Sequence, residues 1–150
     1  MTAAELETYL HDHIPLSRAM AVHVASISET EVVLGAPLAP NINHRDTVFG
    51  GSAAAVATLA AWSLLHLRLT AAQIPSRVVI QHSTMDYVAP MASEFTAAAT
   101  LDPTADWKGF IRLLERRGRA RIAVGAELIC QGQRGGLFRG DFVAFGKDRL

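Results

Sequence analysis

Residues 41–65, NINHRDTVFGGSAAAVATLAAWSLL, decide how the rest of the chain is read. The stretch opens as a polar loop, turns on Gly50-Gly51, and carries no charged side chain from Val48 to Leu65. An apolar run of this length could cross a bilayer. Eleven of its eighteen residues, however, are Gly, Ala, Ser or Thr. Small residues gain little from lipid and allow close backbone packing. The segment therefore predicts a helix buried inside the protein, reaching about Leu69, rather than a membrane span.

Working outward, the flanking sequence supplies strands. Thr2 and Glu5 have capping-box spacing, and Leu6, Tyr9, Leu10 and Ile14 form a helical stripe that Pro15 ends. Met20 to Ile27 and Glu31 to Ala36 are β-rich runs joined through Ser28, Glu29 and Thr30, which predicts a hairpin. Beyond Pro75, Arg77 to Val88 reads as a strand with Val78, Ile80, Thr84 and Val88 on one face. Glu94 to Leu101 is the next strand. Trp107, Phe110, Ile111 and Leu114 have helical spacing, and Gly118 is a fitting stop. In Gly118 to Gln131, apolar Ala120, Ile122, Val124, Ala126, Leu128 and Cys130 alternate with Arg119, Arg121 and Glu127. Gly132 to Gly136 reads as a turn, and Leu137 to Phe145 as the last strand. One apolar helix among six mostly antiparallel strands predicts an α+β fold. It is a curved six-stranded sheet wrapped around a long central helix, in a single domain over residues 1–150.

Composition removes several classes of function. Fourteen basic residues balance fourteen acidic ones, which excludes a strongly electrostatic nucleic-acid binder. One cysteine excludes a disulfide framework and a multi-cysteine metal site, and it fits a reducing compartment. The N-terminus lacks the basic stretch and apolar run of a signal peptide. A cytoplasmic protein is expected, with no metal or redox cofactor and no nucleic-acid or membrane partner.

Four motifs in order then resemble the YiiD C-terminal family of putative thioesterases, which have the hotdog fold. They are the loop Asn41 to Ser52, Thr58-Leu59-Ala60-Ala61-Trp62, Tyr87-Val88-Ala89-Pro90 and Gly118-Arg119-Ala120-Arg121. The resemblance covers nearly the whole chain from Leu16 onward. It implies thioester hydrolysis and a symmetric homodimer or dimer of dimers. The wider PaaI-like thioesterases are similar at Asn43, Thr47, Gly50 and Gly51. Phe49 stands where those enzymes have a histidine, and Thr58 where they have a catalytic acid.

The chemistry expected of each residue has an ordinary alternative. Backbone N–H groups at a helix start suit the developing charge of a thioester carbonyl. Gly50 and Gly51 either admit the thioester to that backbone or only allow close packing. Asn43 either polarises the carbonyl or caps its loop. Asp46, the only carboxylate in the loop, is a candidate base or nucleophile, or a solvated turn residue. His44 is the alternate base, or a structural loop residue. Thr47, Phe49, Ser52, Thr58 and Trp62 are candidates for substrate contact, although mid-helix hydroxyls often bond the preceding turn.

Outside that stretch, His82 and Asp86 could form a second acid/base pair or lie on a solvated face. His23 and His66 read as surface residues, and His11 and His13 as a poor metal pair. Arginine outnumbers lysine by twelve to two, and Arg117 and Arg119 are candidates for gripping the phosphates of a pantetheine carrier.

These readings predict an acyl-CoA or acyl-carrier thioester hydrolase. Its acyl chain would lie against Val56, Leu59 and Trp62, and two chains would meet through the strand Arg77 to Val88. The alternatives are a non-catalytic acyl-CoA-binding domain and an acyl-thioester hydratase or dehydratase. Phe49 and Thr58 argue against the last.

Overall fold

The computed structural model describes residues 1–146; the last four residues of the expected 1–150 domain lie outside the described residues. Helix α1, Ala3–His13, begins with the expected capping box. The Glu5 N–H donates to Thr2 Oγ1 and the Thr2 N–H donates to the Glu5 carboxylate. Pro15 ends α1 but also starts a second helix, α2, Pro15–Ala19, which was not foreseen. Proline has no N–H to lose at a first helical position, so it opens a helix as readily as it stops one.

The remaining elements are β1 His23–Ile27, β2 Val32–Ala36, α3 Gly50–Ala71, β3 Ser76–Tyr87, β4 Phe95–Leu101, α4 Trp107–Arg117, β5 Arg119–Cys130 and β6 Gln133–Gly146. The strands pair antiparallel in the order β1-β2-β4-β5-β6-β3. Helix α3 packs against β2, β3, β4, β5 and β6. This is the curved sheet around a central helix, the hotdog arrangement. Val56, Ala57, Ala60, Ala61, Leu64 and Leu65 of α3 are fully buried. They meet the inner row of β5, where the apolar alternation from Ala120 to Cys130 is buried as expected. Helix α3 has the length and hydropathy of a membrane span, but here it is the core of the fold.

Two details depart from the sequence reading. The last hairpin turns in only two residues, Gln131 and Gly132, both with positive φ (52° and 74°). Such turns match the twist of the flanking strands. Gly135 and Gly136 lie inside β6 instead of in the turn. A Cβ at Gly135 would stand 2.4 Å from the Met91 sulfur, so this glycine serves close packing.

The second departure is a bulge in β3. Ile80 pairs with Phe142 and His82 with Asp141, leaving Gln81 as the extra residue. A bulge reverses the alternation of faces beyond it. Val78 and Ile80 therefore share the helix side with Ser83, Met85 and Tyr87. Thr84 moves to the outer face with His82 and Asp86.

The two sheet edges differ. β1 is short and packs against α1, whose Glu7 carboxylate accepts the Val24 N–H. β3 is twelve residues long, and most of it is exposed. As a test of the core, Leu64→Ala should lower the unfolding free energy by about 3 kcal/mol in urea denaturation, the usual cost of a buried leucine cavity.

Candidate active site

The loop before α3 is tied down at both ends. Val48 donates its N–H to the Met91 carbonyl (2.8 Å), and Phe49 donates to the Asn41 carbonyl (2.7 Å). Asn41 is buried, and its Nδ2 donates to the carbonyls of Met20 (3.0 Å) and Pro37 (2.8 Å). Sequence reasoning quoted Asn41 without assigning it a task. An Asn two residues before the loop centre was the available signal.

Asn43 organises the turn itself. Its Oδ1 accepts from the N–H groups of Arg45 (2.8 Å) and Thr47 (3.2 Å). Its Nδ2 donates to Thr47 Oγ1 (2.9 Å) and the Val48 carbonyl (3.4 Å). The amide has four ordinary hydrogen-bonding positions, and the loop uses them all. Asp46 takes the left-handed conformation at the turn (φ 62°), which short polar side chains tolerate. His44 and Asp46 are exposed. Among the described residues neither side chain makes a hydrogen bond or ion pair.

Helix α3 then starts without a side-chain cap, because its N-cap residue is Phe49. The first intrahelical bond runs from the Ala53 N–H to the Phe49 carbonyl (3.1 Å). Among the described residues, no hydrogen bond engages the N–H groups of Gly50, Gly51 or Ser52. Three donors are thus open at the positive end of a 22-residue helix.

The two glycines make room for aromatic rings. A Cβ at Gly51 would lie 2.5 Å from the Phe49 ring, and one at Gly50 would lie 3.2 Å from Tyr87. Tyr87 Oη also donates to the Gly50 carbonyl (3.1 Å). The bulge in β3 brings Tyr87 to this side.

A family profile described as "Putative thioesterase (yiiD_Cterm)" matches residues 3–146. The chain belongs to the YiiD C-terminal family. Solved structures agree. A protein of unknown function from Chlorobaculum tepidum TLS is 27% identical, with a TM-score of 0.89 over 97% of this chain and 94% of that one. A putative thioesterase from Shewanella oneidensis is 27% identical, with a TM-score of 0.86 over 95% and 96%. A thioesterase from Haemophilus influenzae shares the fold at 13% identity, with a TM-score of 0.78 over 97% and 92%.

Other predicted residues of this family member fall as follows. Ser52 is half-buried at the helix start. Thr58 donates its hydroxyl to the Ala54 carbonyl (2.8 Å). Val56 and Leu59 face the sheet and are buried, so the acyl chain expected along them has no access there. Trp62 is half-buried on the open stripe that continues from Gly51 through Ala55 and Thr58.

Arg117 and Arg119 line an outer-face hollow of about 400 Å³ with Arg121 and Gln81. Arg119 and Arg77 both pair with Phe145. Ten residues of β3, about 33 Å of strand, separate Arg77 from Tyr87 at the glycines. Within one chain the structure does not bring the arginines to the helix start. His82 faces Asp141 across the strands (3.7 Å) rather than pairing with Asp86.

His66 is half-buried rather than fully at the surface. It stacks between Trp62 (4.7 Å) and Tyr9 (4.9 Å), and Tyr9 stacks on His13 (4.0 Å). Burial first, and His13 second, hold the His66 imidazole below its usual range. An unfolded histidine takes its proton near pH 6.5, while the folded one resists. Stability is therefore full above that value and falls as the pH drops toward the folded one. Between about pH 7.5 and 5.5, His66→Phe should lose less Tm than the wild type.

Replacing Asn43 with Ala should lower stability by about 1–2 kcal/mol, because it orphans the N–H groups of Arg45 and Thr47. Thermal unfolding of Asn43→Ala beside the wild type measures it.

Proposed function

We propose that this protein is an acyl-thioester hydrolase acting on acyl-CoA or an acyl carrier. The observation that carries the reading is the uncapped start of α3, with the N–H groups of Gly50, Gly51 and Ser52 open. Amide donors fixed in a helix turn need no reorganisation when a carbonyl oxygen gains negative charge. One such donor is worth a factor of about a hundred or more in rate. The family match and the Shewanella oneidensis structure at 27% identity support the same chemistry. The buried free thiol of Cys130 fits a cytoplasmic setting.

Asn43 spends its side chain on the loop backbone and on Thr47 Oγ1, and Thr58 spends its hydroxyl on the Ala54 carbonyl. Asp46 and His44 remain free to activate water, and Asp46 is assigned the base. Asn43 then acts by holding the turn that presents Asp46. The hydratase reading loses its support, because Phe49 rests over Gly51 where an imidazole would be needed. The binding-domain reading keeps one observation: Thr58, where related enzymes carry an acid, is self-bonded to Ala54.

The active unit is a homodimer joined through β3. Its helix-side row, including Ile80 and Tyr87, is left exposed in one chain. Exposed edges pair with other chains. A two-fold axis would set the Arg77 end of one β3 beside the Tyr87 end of the other. Each chain's Arg117 and Arg119 then approach the other chain's glycines, where they would hold the carrier's phosphates.

Thiol release over an acyl-CoA panel tests the reaction. Asp46→Asn should lower kcat about a hundredfold or more. Loss in His44→Ala instead would transfer the role. A thermal shift with CoA but no thiol release would favour the binding domain. Light scattering should give a dimer, and an active monomer would contradict the shared site. Replacing Arg117 and Arg119 together should raise KM for CoA esters and spare short pantetheine thioesters.

A further inference from the structure

Two side chains bridge α3 and the free edge strand β3. At the helix start, Tyr87 Oη donates to the Gly50 carbonyl (3.1 Å). Three turns later, Trp62 Nε1–H donates to the Val78 carbonyl (3.0 Å). In an antiparallel ladder alternate residues turn their backbone groups toward the neighbour. The Val78 carbonyl is thus one that points away from β6, on the open edge. Trp62 reaches across the seam between helix and strand and closes it.

The two sides of that bar differ. Toward the glycines, α3 presents Gly51, Ala54, Ala55 and Thr58, none fully buried, opposite Ile80 and Met85 of β3. Toward the helix end lies a hollow of about 640 Å³, lined by Tyr9, Trp62, His66, Leu69, Ile74 and Val78 among others. Trp62 is the residue that stands between them. Its indole is held at the nitrogen by Val78 and on its face by His66, nearly parallel at 12°. A ring fixed in two ways does not swing aside at small cost.

We infer that Trp62 is the partition that ends the acyl groove and so sets the longest chain the protein accepts. The inference rests on the reading that the thioester sits at Gly51. Eleven helical residues separate Gly51 from Trp62, about 16 Å, or roughly a dozen carbons of extended chain. A chain within that length covers the small side chains of α3 and gains burial with every methylene. A longer chain meets the pinned indole. The hollow behind it is apolar on the Leu69, Ile74 and Val78 side and would take the excess if the ring were absent. Trp62 is therefore a specificity determinant, distinct from the groups that handle the carbonyl.

The test uses S-alkyl CoA thioethers from C4 to C16, which no thioesterase can hydrolyse, with binding read by titration calorimetry. In the wild type, each added methylene should tighten binding about threefold to fourfold, with a break near C10 to C12. In Trp62→Ala the tightening should continue, raising the ratio of C16 to C8 affinity at least about tenfold over the wild type. Trp62→Phe keeps a stacking ring but is smaller and loses the hydrogen bond to Val78. It should move the break to longer chains, and it decides the matter if the alanine variant fails to fold.

The same length profile in wild type and variant would overturn the partition, as would wild-type tightening through C16. A break in thioether binding together with no thioester hydrolysis leaves the partition standing and removes the hydrolase reading. No binding of any thioether removes both.

Discussion

Helix α3 has one arginine and one histidine among its 22 residues, both in its last two turns. Almost every side of it must be covered by protein, and that requirement shapes the rest. A flat sheet would cover one side; a sheet that curls until it touches the helix from β2 to β6 covers most of it. Such a sheet stops short of a closed barrel, so it keeps two edges. The β1 edge is short and meets α1. The β3 edge is long and open, and the uncovered stripe of α3 lies beside it. The catalytic candidates, the aromatic bridges and the expected dimer contact all lie along this seam or at its ends.

The start of the helix shows a local sacrifice. A helix normally recovers about 1 kcal/mol from a capping side chain. Here the N-cap is a phenylalanine, and the nearby polar side chain, Asn43, is committed to its own turn. The donors left over are those of the first turn, where the helix dipole is most positive. Glycine at 50 and 51 lets Tyr87 and Phe49 rest on that turn, giving it an apolar surround. Donors beside apolar walls act more strongly on a carbonyl than donors in water.

Most of the architecture was legible because it rests on periodicity. The capping box of α1, the uncharged run of α3, the strict alternation in β5 and the Gly118 stop of α4 all appear in the structure as read. Helix α2 was missed for a local reason, since Pro15 opens a helix as well as ending one. The other misses each depend on one residue whose effect is decided by a neighbour distant in sequence. Gln81 becomes a bulge only because of how β6 pairs with β3. Gly135 is a strand residue because Met91 fills its side-chain space. His66 is half-buried because Tyr9 and Trp62 stack on it. At the candidate site, the loop and the glycines were visible in the sequence, whereas the spending of Asn43 on hydrogen bonds was not. Nor was Tyr87 visible as a partner of Gly50, since its face is set by the bulge.

The central claim is that the open amides of the first α3 turn receive the thioester oxygen. The direct measurement is amide NMR of the ¹⁵N-labelled protein titrated with a CoA ketone, in which a methylene replaces the sulfur and the carbonyl survives. The account predicts that the largest downfield amide-proton shifts fall on Gly50, Gly51 and Ser52, the pattern of new hydrogen bonds to oxygen. Saturable binding that leaves those three amides in place, with the shifts elsewhere, would contradict it.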